Sequence, residues 1–101
     1  MTNTIGLAAD AIEEYSHMKK IIVYTMNYCP YCEAAKKLLK SKGWDFQEVL
    51  LEEDDDAGWK KLEKQTGYKT MPQIFFGDKF IGGYSDMTTL DKQGKLEELV
   101  K

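Results

Sequence analysis

The chain holds two cysteines, and they stand three residues apart in Cys29-Pro30-Tyr31-Cys32, directly after the run KKIIVYTMNY. Sulfurs so placed can cycle between dithiol and disulfide, or supply half of a metal site. A closed zinc site takes about four Cys, His or carboxylate ligands. The single histidine, His17, lies outside the region where the motifs cluster, so the ligand count disfavours a metal and leaves the redox pair. If a helix begins at Pro30, its N-terminus points partial positive charge and free N–H groups at the Cys29 sulfur and favours the thiolate. Cys29 is then the nucleophile. Cys32, one turn inside the helix, is the resolving thiol that attacks a mixed disulfide on Cys29. The bland alternative, a passive pair of thiols, fits poorly with a strand-turn-helix setting in a reducing compartment.

The elements needed to hold this pair are legible. Ile21, Ile22, Val23 and Tyr24 form a β-branched apolar run suited to a buried central strand. After CPYC, Ala34, Ala35, Leu38 and Leu39 recur at helical spacing up to Gly43. Trp44, Phe46, Val49 and Leu51 read as a second strand, and EEDDDAGWKKLEKQTG as a helix with acids in its first turn, ended by Gly67. The acidic run Glu52–Asp56 reads as a solvated helix start, since no calcium-loop spacing is present. Thr70-Met71-Pro72 leads into QIFF, Gly77-Asp78 turns, and KFIGG returns as a hairpin. One last helix, from about Ser85 through LDKQGKLEELVK, closes the chain. The order β-α-β-α-β-β-α predicts an α/β domain: a four-stranded mixed sheet flanked by helices. Tyr24, Phe75, Phe76 and Leu90 are expected in its core.

At 101 residues the chain accommodates one domain. The first 17 residues carry three acids and no lysine; without them 14 acids balance 14 lysines. This stretch reads as an appended or expression-derived extension, with 18–101 as the domain. The net charge is −3 and every basic residue is lysine, which argues against a nucleic-acid partner, where arginine forks on a basic surface are favoured. No apolar run approaches the roughly 20 residues of a membrane span. No secretory signal pattern is visible, so the expected location is the cytosol.

CPYC after a first strand, TMPQIF entering a third, and IGGYSD after a fourth together resemble the glutaredoxin family, of the thioredoxin fold, over about residues 18–101. The resemblance implies a cis bond before Pro72 and a groove that binds glutathione as co-substrate, with no bound cofactor. Met71 would pair its backbone with the glutathione peptide, flanked by Thr70 and Pro72. Gly82 and Gly83 would permit close approach, and the Ser85 and Asp86 amides with the Asp86 carboxylate would hold the γ-glutamyl end. Tyr31 would line the groove. One position departs from the family: a lysine common three residues before the first cysteine is replaced by Met26, and Lys69 is the nearest substitute.

The expected function is glutathione-dependent thiol-disulfide exchange, reducing protein disulfides and protein-glutathione mixed disulfides, by a monomer. Two rivals stand beside it. One is a thioredoxin-like reductant recharged by a flavoprotein reductase, kept open by Met26. The other is a [2Fe-2S] carrier using Cys29 from two chains and two glutathiones, against which Pro30 counts in the family.

Overall fold

A computed structural model of the chain describes residues 18–101, and the extension read into residues 1–17 lies outside them. Four strands and four helices follow in the order β1 (Ile21–Thr25), α1 (Pro30–Ser41), β2 (Phe46–Leu50), α2 (Asp56–Thr66), β3 (Gln73–Phe76), β4 (Lys79–Gly82), α3 (Tyr84–Lys92) and α4 (Leu96–Val100). The sheet order is β2-β1-β3-β4, with β1 parallel to β2, antiparallel to β3, and β3 antiparallel to β4. The β-branched run is therefore a central strand, as its continuous apolar character requires.

Alternation along β1 divides the core. Ile21 and Val23 point to one face, where Ala35 and Leu39 of α1, Ile74 and Phe76 of β3, Met87 of α3 and Leu96 and Val100 of α4 close over them. Full burial of a side chain such as Leu39 or Phe76 stabilises the fold by about 1.5–3 kcal/mol. Tyr24 and Phe75, ring centroids 5.7 Å apart, face the other side, where Leu62 and Trp59 of α2 pack beside Met71 and the two cysteines. Leu90 is half-buried against the first cluster.

Two expectations are corrected. The closing helix is two helices, because the chain turns at Gly94 (φ 70°) between α3 and α4. Helix-forming residues stand on both sides of Gly94, so the sequence reading ran one helix through it; a residue in left-handed backbone cannot sit inside a helix. The acids Glu52–Asp54 also precede α2 instead of filling its first turn. Asp55 is its N-cap, accepting from the Gly58 N–H at 3.0 Å, and the Glu52 carbonyl accepts from the Trp59 indole at 2.9 Å.

Candidate active site

β1 ends at Thr25, and the chain needs only four residues to reach the first turn of α1, so Cys29 stands at the carboxyl end of the central strand. Cys29 is the N-cap of α1 in extended backbone (φ −117°, ψ 98°), followed by Pro30 in the first turn. Pro30 fits there because its missing N–H would have had no helical partner. The Cys32 N–H donates to Cys29 Sγ at 3.1 Å. The sulfur thus occupies the place a capping oxygen normally takes, where an amide and the helix dipole both favour negative charge.

The two cysteines are joined as a disulfide, with their Cα atoms 5.2 Å apart. Cys29 retains 7% of its surface and Cys32 only 1%, so an incoming thiol reaches Cys29 first. The Met71–Pro72 bond is cis, and the Met71 carbonyl oxygen lies 3.8 Å from Cys29 Sγ.

Behind Met71, a buried amide shapes the loop. Gln73 is 1% exposed; its Nε2 donates to the Tyr68 carbonyl at 3.1 Å and the Thr70 carbonyl at 3.2 Å, and its Oε1 accepts from the Thr66 hydroxyl at 2.8 Å. All of its polar capacity in these bonds serves to hold residues 66–70 against the start of β3.

On the far side of Pro72, Gly82 (φ 120°) and Gly83 lead into α3. A Cβ at Gly82 would collide with the Asp86 carboxylate, so only glycine lets the chain turn this closely. Asp86 Oδ2 accepts from the Gly83 N–H at 2.8 Å and from the Tyr68 hydroxyl at 3.0 Å. The hydrogen bond to Asp86 holds the Tyr68 phenol above its ordinary 10.0.

Between these elements runs a groove of about 680 Å³, beside the disulfide. Its walls bring together Tyr31, Lys69, Thr70, Met71, Pro72, Gly83, Ser85 and Asp86; of the residues nominated besides the cysteines, Gly82 alone is not in the lining. Tyr31 leans against Tyr84 with ring centroids 6.0 Å apart. Met26 also lines the groove. Lys69 stands at its rim with its side chain largely in solvent, 3.9 Å from Glu63 Oε2. Tyr68 and Tyr84 are lining residues that sequence reasoning missed. Tyr84 was findable, being inside the quoted IGGYSD; nothing local marks Tyr68, which meets Asp86 from 18 residues away. Among the described residues, no group of three or more His, Cys, Asp or Glu is placed to hold a metal ion. No helix among them is long and apolar enough to cross a membrane.

A cysteine pair at a helix start, a cis-proline loop against the Cys29 sulfur and a mixed four-stranded sheet define a thiol-disulfide oxidoreductase of the thioredoxin fold. The glutaredoxin family model matches residues 21–81. Glutaredoxin 3 of Escherichia coli K12 is 42% identical over 84 residues, which covers 83% of this chain and 100% of that one. Glutaredoxin of Pseudomonas aeruginosa is 39% identical over 83 residues, covering 82% and 98% respectively. Among solved structures, a buckwheat glutaredoxin-glutathione complex superposes with TM-score 0.75 at 28% identity, covering 99% of this chain and 93% of that one. The solution structure of glutaredoxin from Brucella melitensis gives 0.73 at 38% identity, covering 83% and 90%. The chain belongs to the glutaredoxin family.

Proposed function

We propose that the protein is a glutathione-dependent disulfide reductase that acts on protein disulfides and protein-glutathione mixed disulfides. The observation that carries this reading is the 3.8 Å approach of the Met71 carbonyl to Cys29 Sγ at the head of a groove large enough for a tripeptide. A glutathione sulfur bonded to Cys29 would lay its peptide along Met71 in strand-like pairing. Its γ-glutamyl carboxylate would meet the amides of Ser85 and Asp86 at the start of α3, where the helix dipole favours an anion. Thr70 and Pro72 would form the floor and Tyr31 one wall, while Lys69 at the rim would face the glycine carboxylate. The glutathione in the buckwheat complex supports the same assignment by family likeness.

In the reducing half-cycle, the Cys29 thiolate attacks one sulfur of a substrate disulfide and expels the other as a thiolate, which takes up a proton. The Cys32 thiol, on losing its proton, attacks Cys29 Sγ; the Cys29–Cys32 disulfide forms and the second substrate thiol leaves, two electrons having passed to the substrate. A glutathione thiolate then attacks Cys29 Sγ, the more accessible sulfur, and expels Cys32. A second glutathione takes the first away as glutathione disulfide and returns Cys29 as thiolate. On a glutathionylated protein, Cys29 attacks the glutathione sulfur directly and expels the protein thiol. The Cys32 amide at 3.1 Å stabilises the Cys29 thiolate wherever it attacks or leaves. A monomer suffices for every step, and the reducing cytosol suits the cycle.

The deciding experiment follows NADPH oxidation during reduction of a small mixed disulfide. One arm supplies glutathione and glutathione reductase; the other replaces them with thioredoxin reductase. Turnover is expected only in the first. Turnover only in the second would overturn the glutathione assignment and leave a thioredoxin-like reductant.

A further inference from the structure

A second groove, of about 490 Å³, opens on the other side of the reacting sulfur. The groove described above lies toward β3, β4 and α3; this one lies toward β2, lined by Cys29 with Tyr28, Lys36, Glu48 and Leu50. At one end Lys36 Nζ bridges two carboxylates, 2.7 Å from Glu33 Oε2 and 3.0 Å from Glu48 Oε2. Beside this cluster the groove offers a partner two exposed apolar groups, the Tyr28 ring and Leu50.

Tyr28 is unusual in two respects. It is 97% exposed, and its φ is 56°, the one non-glycine residue in left-handed backbone among the described residues. An isolated surface tyrosine needs no explanation, but a bulky side chain held in this backbone is an outlier of the kind that collects at functional sites. Glycine would make the same turn without the steric penalty. The ring contacts almost nothing of its own protein, so any benefit it brings comes from a second molecule, and the sulfur next to it in the chain is the one that bonds to substrate.

We propose that Tyr28, with Leu50 behind it, is a specificity-determining seat for the polypeptide of a substrate whose cysteine is flanked by an apolar or aromatic residue, on the β2 side of Cys29. The inference rests on the function proposed above in taking Cys29 as the attacking sulfur. While substrate and Cys29 are joined, the residues flanking the substrate cysteine lie within reach of this groove. The groove across the cis-proline is left for glutathione, so the two molecules that exchange sulfur bonds at Cys29 approach from different sides.

The test compares wild type, Tyr28→Gly and Tyr28→Phe on three substrates. Two are synthetic peptides with one internal disulfide, having Phe or Gly beside a cysteine; the third is the mixed disulfide of glutathione and 2-mercaptoethanol. For the Phe peptide, Tyr28→Gly should raise KM about threefold to tenfold, the range one aromatic contact supplies, with kcat unchanged. Tyr28→Phe should keep the wild-type KM, and neither the Gly peptide nor the small mixed disulfide should respond. Equal losses on all three substrates, or no change with the Phe peptide, would overturn the proposal. Glycine relieves the backbone at this position, so the variant is not expected to misfold. A parallel arm recharged by dithiothreitol keeps the peptide measurement valid if glutathione proves not to be the donor.

Discussion

The Tyr68 hydroxyl donates to Asp86 Oδ2 at 3.0 Å, and through this bond the loop before the cis-proline is tied to the first turn of α3 across one end of the groove. The same carboxylate oxygen caps the helix by accepting from the Gly83 N–H. One aspartate therefore fixes both the helix start proposed to meet the γ-glutamyl end and the loop that carries Met71.

Tyr68→Phe removes the tie and keeps the ring, whose edge-on packing against Phe80 has a centroid distance of 4.9 Å. We expect KM for a glutathione mixed disulfide to rise about twofold to fivefold, the modest effect of one exposed hydrogen bond, while kcat holds. In the reverse direction, Asp86→Asn should lower the titration point of the Tyr68 phenol toward its ordinary value, because the bond to Asp86 is what raises it. NMR of ring-labelled tyrosine reads this directly; an unmoved Tyr68 signal would show that the bond does not persist in solution.

The cysteines divide the work. Cys29→Ser should abolish turnover on every substrate. Cys32→Ser should keep reduction of glutathione mixed disulfides, in which glutathione resolves the intermediate, and lose reduction of protein disulfides that need an internal resolving thiol. Equal activity of Cys32→Ser on both classes would remove Cys32 from the role assigned to it.

Gln73 should matter more than a surface amide. Gln73→Leu leaves the Tyr68 and Thr70 carbonyls without the amide they now share, while the Thr66 hydroxyl keeps the Leu62 carbonyl as acceptor. Unsatisfied buried groups cost about 1–3 kcal/mol each, and partial hydration of this loop brings the expected loss to about 2–3 kcal/mol in urea unfolding. KM for the glutathione mixed disulfide should rise in the same variant, since Thr70 and Met71 lose their support. A variant as stable as wild type would show that the loop holds without the amide.

Glu48 supplies a pH dependence with a definite sign. The Thr25 hydroxyl donates to Glu48 Oε2 at 2.7 Å, and this bond, ahead of the Lys36 ammonium, holds the carboxyl below its ordinary 4.5. A depressed folded value means that the unfolded chain binds the proton more readily. The contribution is therefore full above the ordinary value and is lost as pH falls through the folded one. Thr25→Val keeps the buried shape and should lower stability at neutral pH by about 1 kcal/mol, the charged-bond range discounted for the partial exposure of Glu48. Urea midpoints of variant and wild type should converge as the pH is lowered below this window; a constant difference would assign the loss to packing.

Much of this was visible in residue order because the signals are local. A β-branched run makes a buried strand, a cysteine followed by proline starts a helix, and Gly43 and Gly67, both at positive φ, follow the ends of that helix and of α2. The joint occurrence of CPYC, TMPQIF and IGGYSD nominated the groove, and the chain brings those residues to one place. The break at Gly94 escaped because helix-forming residues stand on both sides of it, and the choice between one helix and two depends on what each half packs against. Gln73 drew no reading of its own within TMPQIF, and its partners come from the end of α2 and the loop after it, whose path depends on the sheet.

Residue order alone thus settles which sulfurs are reactive, since a helix start acts on the cysteine that caps it over a few ångströms of contiguous chain. The rest of the site is assembled at a distance. Tyr68 reaches Asp86, Met71 reaches Cys29 and Thr25 reaches Glu48 only after β1 pairs with β2 and β3 and the helices close over them. Hydrogen bonds and van der Waals contacts act over about 3–4 Å, so partners separated by 18 to 42 residues exist only when packing brings them together.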